Sequence, residues 1–107
     1  MRGGHRKLVT LAGSLVRATD PRKIRVFCTI LNISRKGLWL STEPIKNLTK
    51  GEVIQVSLVL DNKKRIRLEL PGKIGRIGHA KDHWYLAVEF LPLPTRHLEL
   101  IDTYVGS

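Results

Sequence analysis

From Arg65 to Leu70 the chain reads RIRLEL, charged and apolar side chains alternating one for one. A helix would scatter that pattern around its circumference. A strand puts Ile66, Leu68 and Leu70 on one face and Arg65, Arg67 and Glu69 on the other. Strand-forming segments of this kind recur along the chain. KLVTLAGSLVRA opens the series and runs into a turn at Thr19, Asp20 and Pro21. IRVFCTIL, from Ile24 to Leu31, is rich in β-branched and aromatic residues and reads as a buried strand. GLWLST and VIQVSLVL follow, separated by the loop PIKNLTKGE, where Gly51 suits a turn. Asp61-Asn62 marks a hairpin. Pro71-Gly72 predicts a bulge or bend, because proline cannot donate to a central ladder. HAKDH then turns the chain into a last strand, WYLAVEF.

Only the tail changes period. After Pro92 and Pro94, the apolar residues Leu98, Ile101 and Val105 fall at helical spacing, with Thr95 expected as N-cap. A helix this short is marginal alone and has to pack on something. The expected fold is therefore all-β: a small six-stranded antiparallel barrel with a short C-terminal helix, closure removing exposed sheet edges. The 107 residues read as one domain: an N-terminal arm over 1–7, a barrel over 8–90 and a helix over 95–105.

Charge narrows the partners. Nineteen Lys plus Arg face nine Asp plus Glu, a formal net charge of +10, and that field attracts nucleic acid, nucleotides or acidic membrane surfaces. A hydrophobic fraction of 42% excludes a disordered basic tail. No apolar run reaches the length of a membrane span. Arg2, Arg6 and Lys7 ahead of LVTLAGSLV imitate a signal peptide, but Thr10, Gly13 and Ser14 interrupt the apolar stretch and no clear cleavage site follows. The segment reads as a strand and the expected location is the cytoplasm. Cys28 is the lone cysteine, which excludes an internal disulfide and a cysteine metal cluster and makes it a small core residue. His79 and His83 are four apart, yet Gly78 and Asp82 predict a turn there and no third ligand is evident, so no metal is expected. No nucleophile–base or paired-carboxylate spacing stands out; the chain reads as a non-enzyme without a cofactor.

Two short motifs carry the functional reading. Arg2 and Arg6 form R-x-x-x-R ahead of the first strand, and Asn32, Ser34 and Gly37 form N-x-S-x-x-G at the end of the second. Alone, the second is a turn signal: Asn caps through its side chain and Gly supplies a positive φ. Paired at this separation in a barrel-like chain, the two resemble the PilZ domain family. The segment GEVIQVSL after the motif and the late AVEF fit as well. The resemblance implies a PilZ-like split barrel that acts as a bacterial receptor for the second messenger cyclic di-GMP. It assigns ligand binding to Arg2, Arg6, Asn32, Ser34 and Gly37.

The chemistry of those residues agrees. Arginine offers a permanent charge and a planar fork of donors to phosphate oxygens or a guanine Hoogsteen edge. Asn offers donor and acceptor, Ser a hydroxyl, and Gly a close approach to the backbone. Arg35 and Lys36 within the loop, and Trp39 on the face opposite Leu38 and Leu40, are auxiliary candidates. Met1 stands where many relatives carry an additional arginine, and Ala87 where they often carry Gly. Ordering of the arm on binding would turn occupancy into a shape that a downstream protein, not identified by the sequence, can read. Two alternatives stay open. One is a nucleotide-independent interaction module of the same family. The other is a basic barrel that binds nucleic acid, the weaker expectation because aromatic content is only 6% and stacking platforms need several rings.

Overall fold

The computed structural model describes residues 7–60 and 63–106. Six strands come first: β1 (Lys7–Arg17), β2 (Val26–Ile33), β3 (Gly37–Thr42), β4 (Val53–Val59), β5 (Arg67–His79) and β6 (Trp84–Phe90). One helix, α1 (Thr95–Gly106), follows. The strands close into an antiparallel barrel in the order β1-β2-β3-β6-β5-β4. The alternation read from RIRLEL holds: Leu68 and Leu70 are buried, Arg67 and Glu69 exposed.

Inward residues from all six strands, among them Leu15, Ile30, Leu40, Ile54, Leu70 and Leu86, are fully buried and fill the interior. Different elements stop the two mouths. At one, Ile101 of α1 is completely buried, while Lys7 Nζ donates to Tyr104 O at 3.2 Å and lies over the Tyr104 ring. At the other, Ile45 and Leu48 of the β3–β4 loop turn inward. Arg17 anchors that loop. Its Nη2 donates to Glu52 Oε1 at 2.8 Å and to Asn47 O at 3.0 Å, and its Nη1 to Lys46 O at 2.9 Å. The hydrogen bond to the Glu52 carboxylate raises the guanidinium pKa further above its ordinary value. Cys28 faces the core, and burial pushes its thiol up to about 11.

Four expectations need correction. The segment from Ile24 is not buried throughout: β2 begins at Val26, Ile24 and Phe27 are exposed, and only alternate residues enter the core. Pro71-Gly72 makes no bulge. Pro71 pairs in register with Gln55 of β4, and its carbonyl accepts from Leu91 N at 2.9 Å, beyond the end of β6. The missing N–H therefore falls on the side where β6 has already ended, and no ladder bond is lost. The irregularity lies later, between Ile74 and Arg76. Thr95 is not the N-cap either: Pro94 O accepts from Leu98 N at 3.2 Å, which makes Pro94 the cap and Thr95 the first helical residue. Finally, Gly37 has no positive φ; Gly51, at φ 89°, is the described glycine that does. The hairpin read at Asp61-Asn62 lies outside the described residues, although Leu60 N bonds to Ile66 O at 2.8 Å across its base.

Candidate functional site

Two bulges build the site. In β2, Ile30 pairs with Leu40 and Asn32 with Trp39, leaving Leu31 as the extra residue. Strict alternation from the inward Ile30 would turn position 32 into the core. The extra residue re-aims Asn32 outward and lets Ile33 point in, fully buried. In β5, Ile74 pairs with Val88 and Arg76 with Ala87, so Gly75 is the extra residue and Arg76 is delivered to the outer surface. The registers then link into one transverse row: Asn32 opposite Trp39, Trp39 opposite Ala87, Ala87 opposite Arg76. Leu8 of β1, opposite Asn32 and 84% exposed, extends the row at its far end.

A cleft of about 850 Å³ covers the Trp39–Ala87–Arg76 part of this row, with Asn32, the partner of Trp39, just outside its lining. Trp39 and Ala87 line it from the barrel, Arg35 and Lys36 from the β2–β3 turn, and Arg76 and Glu89 from β5 and β6. The segment after β6 and Leu98 of α1 complete the lining. Ala87, small, lies between an indole and a guanidinium and leaves depth there. Three cationic side chains against one carboxylate make this an anion-accepting surface with an aromatic platform.

Ser34 and Gly37 are structural first. Ser34 is buried, its N donates to Gly37 O at 2.9 Å, and its Oγ accepts from Lys36 N at 3.2 Å. The Ser34 hydroxyl thus holds the shape of the turn that presents Arg35 and Lys36. Gly37 is required by its neighbour: a Cβ there would collide with the Val88 carbonyl of β6. Arg35 reaches across to α1, its Nη1 lying 3.7 Å from Asp102 Oδ2, both side chains half exposed.

Of the motif residues, Asn32, Ser34 and Gly37 come together at this end of the barrel with the auxiliary Arg35, Lys36 and Trp39. Arg2 and Arg6 lie outside the described residues. Lys7, the first described residue, pairs with Ile33, next to Ser34 in sequence. The sequence reading missed Arg76, whose outward placement depends on a bulge, and Glu89. The one available signal was the break of alternation in KIGRIG. Of the two histidines, His79 meets Trp84 edge-on and His83 Nε2 lies 2.7 Å from Tyr85 Oη; among the described residues no group of three or more His, Cys, Asp or Glu gathers.

A family model described as PilZ domain matches residues 4–107. No curated protein matches the chain by sequence. Among solved structures, the Bacillus subtilis inhibitor of motility (MotI/DgrA) gives a TM-score of 0.83 at 14% identity, covering 99% of this chain and 50% of that one, so this chain spans half its length. The PilZ domain with c-di-GMP of YcgR from Escherichia coli gives 0.80 at 10% identity, covering 98% of this chain and 88% of that one. The PilZ domain of CeSA from a cellulose-synthesizing bacterium gives 0.73 at 19% identity, covering 95% of each chain. At such identities the likeness is one of fold.

Proposed function

The chain belongs to the PilZ domain family, and from that membership we propose that it is a receptor domain for cyclic di-GMP. The proposed site is the row Asn32–Trp39–Ala87–Arg76 together with Arg2 and Arg6 of the arm, the turn from Ser34 to Gly37 forming one wall. The observation that carries this reading is the pairing of Lys7 with Ile33: whatever precedes Lys7 joins the barrel beside that turn. Arg6 directly precedes Lys7 in the sequence, and Arg2 stands four residues before Arg6.

Each group then has a task. The arm guanidiniums bind phosphodiester oxygens or a guanine Hoogsteen edge from above. Asn32 pairs with a base edge, Trp39 offers a ring face for stacking, and Arg76 supplies a cation from the opposite wall. The similar Escherichia coli domain was solved with c-di-GMP, which makes the same ligand the natural one to test.

Signalling would follow from what the arm and turn hold. Lys7 touches Tyr104 and Arg35 faces Asp102, so α1 is tied both to the start of β1 and to the β2–β3 turn. A ligand that draws Arg35 or the arm toward its phosphates changes how α1 is held, and a partner protein in the cytoplasm reads that change.

Calorimetric titration of the purified chain with cyclic di-GMP tests the reading. Binding at micromolar ligand is expected, weakened roughly 10- to 100-fold by Arg6→Ala and roughly tenfold by Arg76→Ala, the worth of one or two charge-assisted hydrogen bonds. In a Trp84→Phe background, ligand should change the emission of Trp39. Absence of heat at micromolar ligand, or an Arg6→Ala variant that binds as the parent does, rules the site out.

A further inference from the structure

β1 and β4 lie across the ring from β3 and β6. Their outer face forms the floor of a second groove, about 350 Å³, which shares none of the lining of the first. The floor is made of small or short side chains. Val16 pairs with Gln55 there, and Ser57 with Ser14, which is itself buried and outside the lining. One wall is Glu69 and Pro71 of β5, the partners of Ser57 and Gln55. The other is cationic: Lys23 and Arg25, from the connection between β1 and β2. Beside Arg25 on the same face stands Phe27, the β2 partner of Ser14, with 78% of its surface in water. Val53, 39% exposed, lines the groove, and Ile24, 48% exposed, lies between Lys23 and Arg25 in sequence.

A phenyl ring standing out near the start of β2, opposite Ser14, has no role in the barrel core. On the strand that follows Arg25, whose side chain lines the groove, this exposed ring adds an apolar contact to the cationic wall. Both cations are held in place by local bonds: Arg25 Nη1 donates to Ser14 Oγ at 2.8 Å, and Lys23 Nζ to Ala18 O at 3.0 Å. A guanidinium has five donors and an ammonium three, so these bonds orient the groups without exhausting them.

We infer that this groove is a docking site for an acidic segment of a partner protein that carries an apolar anchor. The anchor packs over Val16 against Phe27, and flanking carboxylates meet Arg25 and Lys23. Glu69 on the far wall argues against a membrane: a uniformly anionic surface would meet that carboxylate, whereas a polypeptide can present a different group to each wall. The assignment does not depend on the nucleotide reading, since it uses other strands.

The test is titration of the ¹⁵N-labelled full chain with a short synthetic peptide, a leucine flanked on each side by glutamates. Amide shifts are expected at Ser14, Val16, Phe27 and Gln55. Binding should weaken roughly tenfold in Phe27→Ser and in Arg25→Glu, as for loss of an anchor contact. Peptides with lysine for glutamate, or serine for leucine, should not bind. Phe27 packs against nothing in the core, so Phe27→Ser keeps the fold, and cyclic di-GMP titrations of both variants should match the parent. Shifts absent from the groove at millimolar peptide, or affinity untouched by both variants, overturn the proposal. So does a peptide-silent groove with Arg25-dependent sedimentation on phosphatidylglycerol vesicles, which would assign it to lipid. A dimer abolished by Phe27→Ser would assign it to a second copy. Failure of cyclic di-GMP to bind the parent chain would remove the proposed function and leave this result standing.

Discussion

Gly37 owes its identity to Val88. The motif suggested two reasons for a glycine there, backbone conformation and access for a ligand, and the barrel supplies a third: no room beside the Val88 carbonyl. Sequence could not reveal this, because the obstructing atom belongs to a strand remote in the chain. Gly51 is the opposite case, with φ 89° and no atom within 4 Å of an added Cβ. Gly37→Ala should therefore destabilise by overpacking, about 1–3 kcal/mol, and disturb the β3–β6 ladder. Gly51→Ala should cost about 1 kcal/mol of conformational strain alone. Urea unfolding of both, with amide shifts of Val88 and Glu89 recorded in each, separates the two causes. Equal midpoints and undisturbed β6 shifts in Gly37→Ala would contradict the collision.

At the scale of elements, the strands were legible because alternation is a local property: RIRLEL, GLWLST and WYLAVEF each state their own faces. The bulges were not. A bulge is defined by two strands together, and nothing in KIGRIG says that Gly75 has no partner in β6 while Pro71 has one in β4. That distinction shapes the cleft, since the extra residue turns Arg76 toward it. Asn32 was found through its motif, although the reason it faces outward is the extra Leu31. Loops were legible as loops, but not what holds them. Arg17 spends its donors on Glu52 and on two carbonyls of the β3–β4 loop, and Glu52 is the more buried partner. Arg17→Ala strands that carboxylate and should cost about 2 kcal/mol. Amide exchange should rise first at Leu48 and Thr49. An unchanged melting midpoint would mean that the ion pair is idle.

The whole molecule separates its surfaces. One side of the ring carries the cleft with Trp39 and Arg76, the opposite side the groove with Phe27 and Arg25. The excess positive charge that the composition announced is thus distributed over two faces with different neighbours, a fact no composition contains. The closed topology was foreseeable from the number and spacing of strands; which mouth each end occupies was not. Lys7 donates to Tyr104 O, so the first strand and the last helix meet within a side chain's reach at one mouth, while the β5–β6 turn lies at the other. The polypeptide could for that reason be rewired. A circular permutant that links the old ends through a short glycine-serine tether and opens between Lys81 and Asp82 should melt within a few degrees of the parent. It would also tether the leading segment at both ends, so its nucleotide affinity against the parent's would test whether the proposed site needs that segment free.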